Sequence, residues 1–234
     1  MRINFVTIIT VLAPLFALSA CDNGAPAVQS GAETAQNEAE RVVVAGPERV
    51  ILAFGDSLFA GYNLGEDEGY PEQLEAALRA RGINARVVDG GVSGDTTAAG
   101  AQRIAFLLDQ QAEAPDLVLV ELGGNDMLRA LSPEQTRANL TTILEALASR
   151  DIPVLVMGMR APPNLGADFQ AEFDAIYPAL AEKYDAELVP FFLEPVYDQQ
   201  SLLLPDRIHP TAEGVSVLVE HTLGEVIEAL PPAD

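Results

Sequence analysis

Apolar, β-rich runs alternate along this chain with helical patterns, and that alternation constrains the fold more than any other feature of the sequence. A strand, a helix and another strand of the same sheet form a parallel crossover, so the alternation predicts an α/β domain with a mostly parallel sheet. The strands read as Arg49 to Phe54, Ala85 to Val88, Leu117 to Leu122, Val154 to Met157 and Glu187 to Pro190. Helical patterns cover Pro71 to Arg81, where Gly82 stops the helix, then Thr97 to Gln111, Ser132 to Arg150, Asp168 to Tyr184 and Thr211 to Ala229. Ser132-Pro133-Glu134-Gln135 carries a cap, a proline at the first helical position and a glutamine three residues on. Five strands with helical crossovers predict a three-layer α/β/α sandwich with its site in the loops after the strand C-termini. Ser57, Gly94 and Asn125 each fall just beyond a strand end, so they are expected to be neighbours in space.

At 234 residues the chain is long enough for one sizeable core, and one domain over residues 46–234 is expected. Its 13 basic residues stand against 35 acidic ones, a net charge of -22. Such a field repels phosphate backbones, so nucleic acid is not an expected partner. At the start, Arg2, the apolar stretch Ile3 to Leu18 and the small residues Ser19 and Ala20 make up an export signal over residues 1–20. A membrane-crossing helix needs about 20 apolar residues. This run instead ends in Leu18-Ser19-Ala20-Cys21, which resembles the lipobox of bacterial lipoproteins. The resemblance implies cleavage before Cys21, the only cysteine, and a diacylglyceryl thioether on its sulfur. Residues 21–45 hold too few large apolar side chains to offset the entropy of ordering and read as a tether. The mature chain is therefore expected to be a monomer anchored by lipid in a bacterial envelope and facing the periplasm.

A serine between a strand end and a helix can expose its Oγ while backbone N–H groups face a developing oxyanion, and Ser57 in Gly55-Asp56-Ser57 has that position. The same residues would also serve as a plain helix cap. A general base near neutral pH points to histidine, and the chain has only His209 and His221. His221 falls inside the last helical pattern and reads as a surface or packing residue. His209 lies in a loop, three residues after Asp206, a spacing at which a carboxylate can reach the far ring nitrogen and fix the tautomer. Asp206 as an ordinary exposed turn residue is the alternative. Gly94 allows close backbone approach and Asn125 offers a side-chain amide, so both are candidate oxyanion donors beside the Ser57 N–H. Each is also compatible with a simple turn or cap.

Together these residues resemble the SGNH, or GDSL-type, hydrolase family from Ile51 to about Gly214. Gly55-Asp56-Ser57-Leu58, Val92 to Thr97, Gly123-Gly124-Asn125-Asp126 and Asp206 to Pro210 match four of its sequence blocks in order. The resemblance implies a flavodoxin-like SGNH hydrolase fold and a serine hydrolase working through an acyl-enzyme. In it Ser57 is nucleophile, His209 base and Asp206 its orienting acid, while Gly94 and Asn125 complete the oxyanion hole. No metal or organic cofactor is expected. Gly61-Tyr62, Val120-Glu121-Leu122, Ile176-Tyr177-Pro178 and Pro190 to Leu193 look like the branch of multifunctional acyl-CoA thioesterases, arylesterases and lysophospholipases. The implied substrate is thus a small acyl ester, thioester or lysophospholipid. Arg207 departs from the small residue expected there. G-x-S-x-G does not occur around Ser57, which argues against a nucleophile elbow. Leu128, the loop Arg160 to Gly166 and Leu202-Leu203-Leu204 are expected to line an acyl groove, with Arg160 as its polar anchor.

Two rival readings keep the same fold: a carbohydrate O-acetyl esterase with a small acyl pocket, and a non-catalytic envelope lipoprotein that binds a ligand. A metal-dependent phosphatase is a third idea. It is disfavoured because the aspartates lack clustered ligands at metal-binding spacing.

Overall fold

The structure, a computed structural model, describes residues 43–232. The export signal, Cys21 and the tether through residue 42 lie outside the described residues. Five parallel strands, β1 (Arg49–Gly55), β2 (Ala85–Asp89), β3 (Leu117–Glu121), β4 (Val154–Met157) and β5 (Glu187–Val189), form one sheet in the order β2-β1-β3-β4-β5. Every residue of β1 and β3 is buried, as central strands covered on both faces require. The helices are α1 (Tyr70–Ala80), α2 (Thr97–Asp109), α3 (Gly124–Leu128), α4 (Pro133–Ala148), α5 (Ala167–Asp174), α6 (Ile176–Tyr184) and α7 (Ala212–Ala229). α1 packs against α7 in one layer, while α2 and α6 both pack against α4 in the other.

The chain runs from β1 out to β2 at the edge and returns to β3 on the other side of β1, so the order reverses between β1 and β3. Open α/β sheets leave a crevice at such a switch point, outside the strand C-termini. In register Gly55 pairs with Glu121, so the loops after β1 and β3 emerge side by side at that crevice. Local signals set the helices that support them. Thr96 accepts the Ala99 N–H at the start of α2, and Ser132 and Gln135 form a reciprocal capping box on α4. Thr211 accepts the Gly214 N–H at the start of α7. Between the α1–α7 layer and the sheet, Phe59 stacks on Tyr70 and Phe192 meets both rings edge-on. The buried Tyr70 hydroxyl bonds Thr222 at 2.6 Å and ties α1 to α7, a link worth about 1 kcal/mol.

Two elements differ from expectation. The helix predicted over Asp168 to Tyr184 is broken into α5 and α6 at Ala175. Pro178 lacks the N–H that would bond the Asp174 carbonyl, and its ring crowds that carbonyl, so one helix cannot run through. The segment Gly123 to Asp126, for which no helix is expected from the sequence, winds into the short helix α3 once Gly123 has turned the chain at φ +122°.

Candidate active site

Ser57 is placed by the tightness of the turn that precedes it. A Cβ on Gly55 would sit 2.7 Å from Phe59 and 2.9 Å from the Glu121 carbonyl, so only glycine lets β1 end this close to β3. Beyond it the backbone coils: the Ala60 N–H bonds the Asp56 carbonyl at 3.0 Å and the Tyr62 N–H the Ser57 carbonyl at 3.2 Å. Ser57 retains 9 % exposure, and its Oγ lies 2.8 Å from His209 Nε2. On the far side of the ring, His209 Nδ1 lies 2.8 Å from Asp206 Oδ2.

The segment that carries this pair is held at both ends. Leu203 and Pro210 form an antiparallel bridge, the Leu204 N–H bonds the His209 carbonyl at 2.7 Å, and Thr211 caps α7. Within it, Asp206 Oδ1 accepts the N–H groups of Ile208 at 2.9 Å and His209 at 3.1 Å. The Ile208 N–H, then the imidazole and the His209 N–H, hold the Asp206 carboxyl down to about 2, although partial burial opposes them. It is an anion at neutral pH, suited to pairing an imidazolium on His209. The ring packs at a 32° tilt against Tyr62, 4.3 Å between centroids.

Ser57, Gly94 and Asn125 all line one open cavity of about 360 Å³. Among the described residues neither the Ser57 nor the Gly94 N–H has an acceptor. One Asn125 amide hydrogen is given to Asp56 Oδ2 at 2.9 Å, and the other has no partner. Three donors without acceptors among the residues lining one cavity are what an oxyanion site can use. Gly94 reaches its position at φ +86°, with its carbonyl fixed by Arg129 Nη2 at 2.7 Å. Buried Asp126 ties the second and third loops together by accepting the Thr97 N–H at 2.8 Å and the hydroxyls of Thr97 and Thr136. Arg103 joins the first and second, reaching the Gly55 carbonyl at 2.9 Å and Asp95 at 2.6 Å.

The outer walls are apolar: Leu58, Tyr62, Leu128, Met159, Leu193 and Ile208. Leu128 therefore faces the cavity as expected of a groove residue. Arg160 does not line it; its guanidinium sits over the Phe191 ring, 5.2 Å from the centroid. Leu202-Leu203-Leu204 and the loop after Arg160 are also outside the lining, which Met159 and Leu193 supply instead. Leu202 is buried, and the segment that follows clamps the His209 loop. His221 lies partly buried in α7, away from the cavity. Sequence reasoning missed Asp56 as the partner of Asn125, Arg129 as the anchor of Gly94, and the acid Glu121 behind both. For Glu121 there was a signal: one carboxylate inside the apolar run Leu117 to Leu122.

Residues 53–217 match the model of the GDSL-like Lipase/Acylhydrolase family. The chain belongs to that family. On that membership it is a carboxylic ester hydrolase, and the matched span contains every cavity residue named above. The chain is 38% identical to an arylesterase of Vibrio mimicus over 180 residues, 77% of this chain and 89% of that protein. It is 39% identical to thioesterase 1/protease 1/lysophospholipase L1 of Escherichia coli K12 over 163 residues, 70% of this chain and 76% of that one. Among solved structures it resembles AlinE4, an SGNH-hydrolase family esterase, with 64% identity and a TM-score of 0.68. That match covers 80% of this chain and 100% of the other.

Proposed function

We propose that this chain cleaves small carboxylic esters or thioesters by two-step acyl transfer, with Ser57 as nucleophile, His209 as general base and Asp206 as its orienting acid. The observation that carries the reading is the short Ser57–His209 contact at a cavity onto which three unclaimed N–H donors open. His209 takes the Ser57 proton as Oγ attacks the acyl carbon, and the carbonyl oxygen gains the charge. The Ser57 and Gly94 N–H groups and the Asn125 amide then hold that oxygen. His209 returns the proton to the departing alcohol or thiol, and a water repeats the sequence to free the acid. Asp206 stays ionised throughout and pairs the imidazolium in both half-reactions.

A cavity of about 360 Å³ with apolar outer walls is at the small end for ligand sites and favours short to medium acyl groups. Similarity to an arylesterase and to a thioesterase/lysophospholipase supports aryl alcohols, thiols and lysophospholipids as leaving-group classes. Export, lipid attachment through Cys21 and action as an envelope-bound monomer belong to the same proposal; they rest on residues 1–21, and intact-mass analysis of the mature chain tests them, an unmodified cysteine overturning the attachment. For the chemistry, the assay is hydrolysis of p-nitrophenyl esters from acetyl to palmitoyl by the full chain and its Ser57→Ala variant. Serine-dependent turnover with a maximum at short or medium chains is expected. Full activity in Ser57→Ala would overturn the assignment.

A further inference from the structure

Behind the nucleophile turn lies an acid for which the reaction above has no use. Glu121, the last residue of β3, is 0 % exposed at the end of a strand whose other residues are leucine and valine. Its Oε2 accepts the Asp56 N–H at 3.3 Å, and its Oε1 has no hydrogen-bond partner among the described residues. No cation answers it. Arg103, which comes to this corner of the sheet, directs its donors to Asp95 and the Gly55 carbonyl. The Tyr177 hydroxyl of α6 is also near, but it donates to the Leu122 carbonyl at 3.0 Å.

A buried, uncompensated carboxylate is among the costliest arrangements a fold can hold, whereas an orphan oxygen costs far less on a neutral carboxylic acid. Through the bond from the Asp56 N–H, the Glu121 carboxyl is held against Asp56, itself only 2 % exposed. Asp56 in turn accepts the Leu58 N–H at 3.1 Å and the Asn125 amide at 2.9 Å. We infer that Glu121 is a positioning residue that carries a proton at neutral pH and donates it to Asp56, so that Asp56 holds the Asn125 amide and the Ser57 turn in working geometry. This rests on the reading of Asn125 as an oxyanion donor.

Burial first, and the Asp56 charge second, push the Glu121 carboxyl well above the ordinary carboxylate range. Burial also raises Asp56, against the Leu58 N–H, Glu121 and Asn125, which favour its ionised form; Asp56 has the hydrogen-bond donors an anion needs, and the orphan Oε1 of Glu121 has none. The other groups at this corner are Tyr177 on α6, with Asp126 and Asp174 beyond it, and His209 facing Asp56. None is a cation placed to neutralise Glu121. A carboxylic acid differs here from any apolar residue of its size in one respect: it supplies the hydrogen that keeps Asp56 from turning away from Asn125.

The test combines infrared spectroscopy at neutral pH with kinetics on the full chain and its Glu121→Gln, Glu121→Leu and Ser57→Ala variants. The parent and Ser57→Ala are expected to show a carboxylic-acid carbonyl band that Glu121→Gln lacks. Glutamine keeps a hydrogen to donate, so Glu121→Gln should retain kcat within about 3-fold. Leucine keeps none. It should lower kcat by on the order of 10- to 100-fold with KM nearly unchanged, less than the loss of an oxyanion donor itself. No band lost on going to glutamine, or Glu121→Gln as impaired as Glu121→Leu, would overturn the inference. Should the leucine variant not fold, the band and the glutamine kinetics still decide it. Turnover surviving in Ser57→Ala would instead sink the active-site reading and leave the band intact.

Discussion

Asn125→Ala separates two roles that the structure combines in a single side chain. One amide hydrogen is fixed on Asp56 Oδ2 at 2.9 Å, which holds the other toward the cavity. Truncation leaves two of three donors for the oxyanion, and removing one preorganised donor costs about 10²- to 10³-fold in kcat, roughly 2.7–4 kcal/mol. The ground-state carbonyl carries little charge, so KM should move little. Truncation also strips a bond from Asp56, which is 2 % exposed and whose other oxygen is held by the Leu58 N–H. An acceptor left short of a partner in that setting costs about 1–3 kcal/mol of stability. The assay is therefore twofold: steady-state kinetics on a medium-chain p-nitrophenyl ester, and a urea unfolding curve for the same preparation. A folded variant with kcat within about 3-fold of the parent would refute the oxyanion role, since no other side-chain amide lines the cavity to replace it.

Other substitutions test the surrounding framework. Asp206→Asn removes the anion beside the imidazole and is expected to lower kcat by about 10³- to 10⁴-fold, with a modest loss of stability at neutral pH for a partly exposed pair. Because the Asp206 carboxyl is held down to about 2 in the fold, below its unfolded value, it adds stability above the unfolded value that is lost as pH falls through about 2. The parent-minus-variant difference in urea unfolding should therefore shrink over that acid window. Arg207 sits at φ +60° in the same loop; Arg207→Gly and Arg207→Ala both remove the guanidinium, so only the backbone distinguishes them, and glycine should be the more stable by about 1 kcal/mol. Equal melting temperatures would show that the loop carries no such strain. Gly123→Ala forces φ +122° on a side chain and drives its Cβ into the Tyr177 hydroxyl. A loss of several kcal/mol is expected, read as a lowered melting temperature, and a stability equal to the parent's would contradict the packing described here.

Much of this site is legible in the sequence because its parts are local. The order of strands and helices follows from periodicity, and Ser57, Gly94 and Asn125 fall after β1, β2 and β3 because parallel sheets put such loops at one end. Asp206 and His209 are three residues apart, so their contact is a property of one loop. What was not legible depends on contacts between distant segments. Arg160 looked like a groove anchor from its loop, but cation–π contact with Phe191 draws its guanidinium out of the cavity lining. Arg129 and Gly94 are 35 positions apart, and no local pattern links a guanidinium to that carbonyl.

Two carboxyls stand close to Ser57, and environment rather than residue type decides what each can do. Asp56 is adjacent in sequence, but its Oδ1 is 3.5 Å from the Ser57 Oγ and faces the Leu58 N–H, while Oδ2 faces Asn125. At that distance, the outer limit of a hydrogen bond, Asp56 does not reach the serine proton well. His209, at 2.8 Å, does. Asp206 lies outside the sheet on a loop whose N–H groups and imidazole stabilise its charge, so it is ionised at neutral pH. Asp56 lies inside, where burial pushes its carboxyl up and Glu121 shares the site. The outer acid can pair a charge that appears and disappears on His209 during turnover, and the inner acids can fix geometry without adding a second free charge beside the oxyanion. A negative charge free to turn toward the cavity would oppose the intermediate that, in the proposed mechanism, the Ser57, Gly94 and Asn125 donors stabilise. Anchoring Asp56 on Asn125 would therefore serve the proposed chemistry twice: it aims the amide, and it keeps its own charge occupied.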